Sequence, residues 1–314
     1  MDLFVISHID LDHIEGAVEL LEGNPNLAIG EVWFNAYRHV SGSRNERGAR
    51  DGEALSRLLG DKKIAWNEAF GGDAVAISGD GSLPLVPMPG GLMITVLSPT
   101  QAKLRRLEAR WVAECERAGI VAGKGNERSG RAARRLRCEQ IDIEALASAP
   151  FFPDDSRPNG TSIALLAEFE GRRALLAADA HEDTLVSSLQ RLRNGGPPFR
   201  LDLLKVPHHG SAGNLSNRLM AEIDCPRYAI SSDGSRHGLP DPDSIARIVK
   251  ACTSPCELYF NYRSPFTLIW EMLSAKSKLP FSVIFGNDGH LKIKLLAGGN
   301  DPSSTYAKSA KTRG

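Results

Sequence analysis

The densest chemistry in this chain lies at its start. In the run Phe4-Val5-Ile6-Ser7-His8-Ile9-Asp10-Leu11-Asp12-His13-Ile14-Glu15-Gly16, two imidazoles and two carboxylates fall within six residues. All four are metal-ligand types. Apolar residues precede them and an amphipathic run begins at Ile14, so the segment reads as strand, tight loop, helix. The spacing lets His8 and Asp10 point one way while Asp12 and His13 point another. Such a loop can serve two metal ions about 3.5–4 Å apart, the separation found in two-metal hydrolases. The competing reading is a solvated polar loop with Asp12 as a helix N-cap.

Later segments supply partners of the right types. Gly171-Arg172-Arg173-Ala174-Leu175-Leu176-Ala177-Ala178-Asp179 is an apolar strand that ends in a carboxylate. Leu203-Leu204-Lys205-Val206-Pro207-His208-His209-Gly210-Ser211 opens onto paired histidines, and Ile230-Ser231-Ser232-Asp233 leads to His237. With these in view, the first run resembles the signature of the metallo-β-lactamase fold superfamily, usually H-x-H-x-D-H. Its form with aspartate at the second ligand position is similar to the hydrolase domain of the ComEC-type DNA-uptake proteins and their free-standing relatives. The His208-His209 segment resembles that subgroup's K-V-x-H-H-G-S block, and the other two resemble its bridging-aspartate strand and S-x-G…H segment.

The resemblance implies an α/β fold, a metallo-β-lactamase-like αββα sandwich, and two divalent metal ions. His8 and Asp10 would bind the first ion, and Asp12 and His13 the second. Asp179 would bridge them, with His208 completing the second ion's shell. The superfamily's usual histidine before the bridging aspartate has no counterpart, and Asn159, Thr161 and Ser162 occupy that region. The first site is therefore rich in oxygen, which sets Mn²⁺ and Mg²⁺ beside Zn²⁺ as candidates. Asp12, His209 and His237 are the candidate catalytic residues, the histidines joining Ser211 in phosphate contact or leaving-group protonation. Against this, His208 and His209 can be an ordinary core or surface pair. Gly238-Leu239 also sets His237 apart from the proline that should follow it. Lys205 reads as structural, and His39, His181 and His290 as incidental.

Two cations sharing an activated water suit phosphodiester hydrolysis, so a phosphodiesterase or nuclease is the leading expectation. The alternatives are hydrolysis of a thioester, lactone or lactam, and a non-catalytic chain. The resemblance also implies strands ahead of the first ligand loop. Only seven residues precede His8, so the first sheet is expected to be incomplete at its N-terminus.

Elements that position these residues are readable from periodicity. Strands are expected at Leu3–Ser7, Glu31–Asn35, Leu92–Leu97, Thr161–Glu168, Arg173–Ala178, Leu201–Val206 and Tyr228–Ser231. Helices are expected after Ile14, over Gly52–Leu59, after Ser98-Pro99-Thr100 with Leu104, Leu107, Trp111 and Cys115 on one face, and over His181–Leu192 and Leu215–Ile223. A further helix, Pro242–Ala251, would be capped by Asp241. Glu170-Gly171 should turn one hairpin, and Gly286-Asn287-Asp288-Gly289 a closing one between Phe281–Phe285 and Leu291–Leu295. One hydrolase domain would span 1–298, with a basic insert or linker at about 119–158 and a flexible tail at 299–314. Within the insert, Arg128, Arg131, Arg134, Arg135 and Arg137 form either a solvated tether or a contact for nucleic-acid phosphates.

Composition bounds the rest. The chain has 314 residues, 42% of them hydrophobic, with 38 basic and 38 acidic side chains, which suits one soluble globular domain rather than a general nucleic-acid coat. There are five cysteines. Cys252 and Cys256 could hold metal, but no second pair accompanies them, so buried thiols and a reducing cytosol are the expectation. Neither a signal peptide nor a membrane span is legible.

Overall fold

The computed structural model describes residues 1–24, 26–36, 39, 50–107, 141–235, 237–276, 279–287 and 289–295. Its strands are β1 (Leu3–Val5), β2 (Glu31–Trp33), β3 (Leu85–Pro87), β4 (Met93–Ser98), β5 (Ala164–Phe169), β6 (Arg172–Leu176), β7 (Phe199–Arg200), β8 (Leu203–Lys205), β9 (Ile223–Asp224), β10 (Arg227–Ile230), β11 (Cys256–Phe260) and β12 (Phe281–Phe285). The helices used below are α1 (Leu11–Gly23), α2 (Arg50–Asp61), α3 (Ile143–Ala147), α4 (Glu182–Arg193), α5 (Asn217–Ala221), α6 (Pro242–Ala251) and α7 (Pro265–Lys276). The chain is mixed α/β, and no helix among the described residues is long and apolar enough to cross a membrane.

Eight strands form one mixed sheet in the order β12-β11-β10-β8-β6-β5-β4-β3. From β12 to β6 neighbours run parallel, and from β6 to β3 they run antiparallel. β1 and β2 make a separate parallel pair. Alternation of side chains along a strand explains how the sheets stack. Leu3, Val5 and Trp33 project from the small sheet onto Ile94, Val96 and Leu165 of the large one and onto Ile163, just before β5. Phe4 and Val32 project oppositely, onto Ile14, Ala17 and Leu21 of α1 and Leu55 and Leu59 of α2. The other face of the large sheet, through Leu166, Leu175, Leu204 and Leu258, meets Leu185 and Leu189 of α4 and Ile245 and Ile248 of α6. Each such leucine or isoleucine contributes about 1.5–3 kcal/mol when fully buried. The layers therefore run helix, small sheet, large sheet, helix.

The β5–β6 hairpin turns at Glu170 and Gly171, both at positive φ (47° and 75°), the backbone that a two-residue turn requires. The expected closing hairpin is absent among the described residues. β11 and α7, which periodicity had not marked, form a crossover that lays β12 parallel to β11, and beyond β12 only an isolated bridge joins Asn287 to His290. Asp241 does stand at the N-cap of α6, but its side chain accepts from the Ala212 amide at 2.8 Å instead of capping the helix.

Cys252 and Cys256 form a disulfide, in place of the two thiols expected. Cys252 ends α6 and Cys256 begins β11, and the short link leaves their Cα atoms 6.3 Å apart, within bridging range. Trp111, Cys115, the arginines from 128 to 137 and the tail from 299 lie outside the described residues. Residues 141–158, which the sequence reading joined to the basic insert, carry α3 and pack Ala147 into the main core.

Candidate metal centre

Four loops meet at one end of the layered sheets. The first follows β1, the second precedes β5, and the third and fourth follow the parallel strands β6 and β8. Ligands gather at the carboxyl ends of parallel strands because the connections there all leave on the same side. Ile163 donates to the Ser7 carbonyl at 2.9 Å and His208 to the Ala178 carbonyl at 2.9 Å, so the loops are also tied to one another. Ala178, His208 and His209 sit at φ of 47°, 44° and 54°. Left-handed backbone at three non-glycine residues in adjoining loops is a strain pattern that clusters at functional sites.

The first loop delivers its four side chains together. Asp10 stands at the N-cap of α1 but spends no side-chain hydrogen bond on capping. Its Oδ2 lies 3.5 Å from His8 Nε2. His13 Nε2 lies 3.8 Å from Asp12 Oδ2 and 3.4 Å from Asp179 Oδ2. His209 Nε2 lies 3.4 Å from Asp12 Oδ2, and His208 Nε2 lies 3.7 Å from Asp179 Oδ2. The rings of His8 and His13 are 4.2 Å apart, and those of His13 and His209 5.6 Å.

Two groups of ligand atoms result, His8 with His13 and Asp179, and Asp12 with His13 and His209, each within 4.8 Å of one another. His209, expected to touch phosphate, thus stands with Asp12 and His13. His208, expected beside them, turns toward Asp179. Two successive residues at positive φ splay the rings, with 68° between their planes. Spacing alone does not say which of two adjacent histidines faces which carboxylate. His237 is exposed, and among the described residues it makes no hydrogen bond or ion pair with this cluster.

The far side of each ring explains its orientation. Ser7 Oγ lies 3.1 Å from His8 Nδ1 and 2.9 Å from His13 Nδ1. Ser162 Oγ lies 3.2 Å from His8 Nδ1. His209 Nδ1 donates to the Ser231 carbonyl at 2.6 Å, and His208 Nδ1 to Asn214 Oδ1 at 2.8 Å. With Nδ1 engaged, Nε2 is the atom each imidazole offers inward. The Nε2 atoms of His8, His13 and His209 are buried and meet no hydrogen-bond partner among the described residues. Orphaned buried nitrogens are costly in a folded protein and mark a missing partner.

The carboxylates supply the matching charge. Burial pushes the Asp179 carboxyl up, but the facing imidazoles of His13, His208 and His8 outweigh it and hold the group well below the usual carboxylate range. Asp12 is held low chiefly by the His209 imidazole that faces it. Ionised carboxylates beside inward-turned, unpartnered imidazole nitrogens fit a divalent cation. Ser7, Asp154 and Asn214 had no role in the sequence reading. Ser7 adjoins His8 within the motif, a signal that was available, whereas Asp154 and Asn214 have no motif around them.

The chain has a detectable relative. Over 101 residues it is 29% identical to ComE operon protein 3 of Bacillus subtilis (strain 168). The match covers 32% of this chain and 12% of that protein's length. No family model matches the chain.

Proposed function

We propose that this chain is a metal-dependent hydrolase with the αββα sandwich of the metallo-β-lactamase fold, and that its substrate is a phosphodiester. The observation that carries the reading is the trio of buried, unpartnered Nε2 atoms on His8, His13 and His209, turned toward the Asp12 and Asp179 carboxylates. The helix, sheet, sheet, helix layering supports the fold, and the similarity to a ComE operon protein supports the subgroup.

An imidazole Nε2 has one lone pair, so His13 cannot serve two ions at once, whereas a carboxylate has two oxygens and can. Asp179, the buried carboxylate that faces both His13 and His208, would be the shared ligand. His8 and Asp10 would hold the ion on one side of it, and Asp12, His13 and His209 the ion on the other, with His208, whose Nε2 faces Asp179, as a further ligand beside it. Bound divalent cations supply an activated water and neutralise charge developing on the attacked phosphoryl group. The protein's own part is positional. Ser7 and Ser162 fix His8, Ser231 fixes His209, and Asp12, the more open carboxylate of the pair, would help to orient the attacking water. The oxygen-rich side, with Asp10 in place of an imidazole, favours Mn²⁺ or Mg²⁺ alongside Zn²⁺.

The test loads metal-stripped protein with each ion and assays bis-p-nitrophenyl phosphate, single-stranded DNA and a thioester, with metal content measured in parallel. Turnover of the first two and not the third is the expected result. Thioester turnover alone would reassign the substrate, and protein that takes up no metal would end the hydrolase reading. If nucleic acid is the substrate, replacing Arg128, Arg131, Arg134, Arg135 and Arg137 together should weaken binding and flatten its salt dependence.

A further inference from the structure

Asp154 is remote from every motif in the chain, yet it reaches the metal cluster. Its Oδ2 lies 3.3 Å from His208 Nδ1, and it accepts from Asn159 Nδ2 at 2.6 Å and Asn214 Nδ2 at 3.1 Å. Oδ1 accepts from the Ser156 amide at 2.9 Å. All three side chains around it are buried or half-buried, and Asp154 itself is 7% exposed. Burial alone would push its carboxyl up, but the hydrogen bonds of His208, Asn159 and Ser156 hold it low. A buried carboxylate held ionised behind an imidazole is the arrangement that fixes the ring of a metal-binding histidine.

The backbone is built to bring it there. The Asp154 amide donates to the Gly213 carbonyl at 2.9 Å. A Cβ at Gly213 would stand 3.2 Å from Asp154 N and 3.3 Å from Phe152 O, so only glycine lets the two segments approach without displacement. Arg247, 1% exposed on α6, donates to the carbonyls of Ala212 and Leu215 on one segment and of Ala149 on the other. One guanidinium thus clamps the loop carrying Asn214 to the segment leading to Asp154.

We propose that Asp154 is a positioning residue of the candidate metal centre: with Asn214 it grips His208 through Nδ1 and presents Nε2 to Asp179. This rests on the hydrolase reading above for its function, but the grip itself is a property of the metal-free chain. Asp154 touches neither ion nor substrate, and its effect passes through His208.

The test is a double-mutant cycle on metal affinity, with Asp154→Asn, His208→Ala and the double variant titrated calorimetrically with Zn²⁺ and Mn²⁺. Loss of a carboxylate behind a metal-binding histidine costs about 10–100-fold in affinity. Asp154→Asn should show a loss of that size in the wild-type background and none once His208 is gone. A second readout uses metal-free, ¹⁵N-histidine-labelled protein. The slowly exchanging Nδ1–H signal of His208, assigned by its absence in His208→Ala, should shift and exchange faster in Asp154→Asn, where Asn214 Oδ1 is left to hold it without the carboxylate. Equal affinity losses in both backgrounds, or an unchanged Nδ1–H signal, would overturn the proposal. If Asp154→Asn does not fold, Asp154→Ser keeps a hydroxyl for the Ser156 amide and takes its place. If wild-type protein binds no metal, the hydrolase reading fails and the Nδ1–H signal decides the grip on its own.

Discussion

His13 Nε2 lies 3.4 Å from Asp179 Oδ2, bringing the loop after β1 against the loop after β6. His208 approaches the same oxygen to 3.7 Å. One carboxylate oxygen therefore faces imidazoles from two separate elements. Under the two-metal reading, Asp179→Ala should remove the bridge and abolish uptake of the metal pair together with turnover. The fold should persist, because β6 is held by Leu175 in the main core and by pairing with β5 and β8. Metal content and circular dichroism on the same sample check this. A folded variant that kept two ions and near-normal activity would leave the assignment wrong.

The two flanking histidines should separate cleanly. His209→Ala removes an Nε2 atom that stands 3.4 Å from Asp12, so metal stoichiometry should fall. His237 is exposed and apart, so His237→Ala should leave metal content unchanged. If His237 protonates a leaving group, turnover falls about 10²–10⁴-fold with metal retained. Loss of metal on replacing His237 would contradict the geometry.

Cysteine chemistry offers a check that does not involve metal. Burial pushes the Cys225 thiol up to about 12, so folded protein treated with iodoacetamide at pH 8 should carry no label there. Unfolding without reductant should expose Cys225 to labelling while Cys252 and Cys256 stay protected, and reductant should then release both. Peptide mass mapping reads all three states. Labelling of Cys252 or Cys256 before reduction would count against the disulfide.

How legible the centre was in the sequence depended on the kind of information each part carries. The strand–loop–helix of residues 3–23 follows from local periodicity, because an apolar run and an amphipathic one meet at the polar loop. The Glu170-Gly171 turn was legible for the same local reason. β11 and α7 were not, although Cys256-Glu257-Leu258-Tyr259-Phe260 alternates between buried and half-buried positions. Missing them left β12 without the parallel partner that the crossover gives it. The different directions of the His208 and His209 rings depend on two consecutive positive φ values, which no residue type there announces. Asp154 and Asn214 meet only because Gly213 and Arg247 draw two distant segments together, a tertiary effect without a periodic trace.

The last prediction concerns pH and the metal-free protein. Burial would lower the proton affinity of His208, but the Asp154 hydrogen bond and the charges of Asp179 and Asp154 raise it to about 9. A group whose folded value is raised above the ordinary 6.5 contributes stability that is complete below 6.5 and lost as pH rises through 9. The size of that shift sets a ceiling of roughly 3 kcal/mol, reduced because the side chain is partly open to water. Asp154 and Asp179 work with the opposite sign. Their lowered values add stability above the ordinary carboxylate range that is lost as pH falls below it. Metal-free protein should therefore be most stable from about pH 4 to 6.5 and weaken from 6.5 to 9. Urea midpoints measured in chelator at pH 5.5, 7.5 and 9 should show that fall, and His208→Gln should flatten it. Metal binding requires the same imidazole without its proton, so uptake should release protons and tighten as pH rises, opposing the trend of the metal-free chain. Midpoints that fall equally in His208→Gln would place the pH dependence elsewhere in the protein.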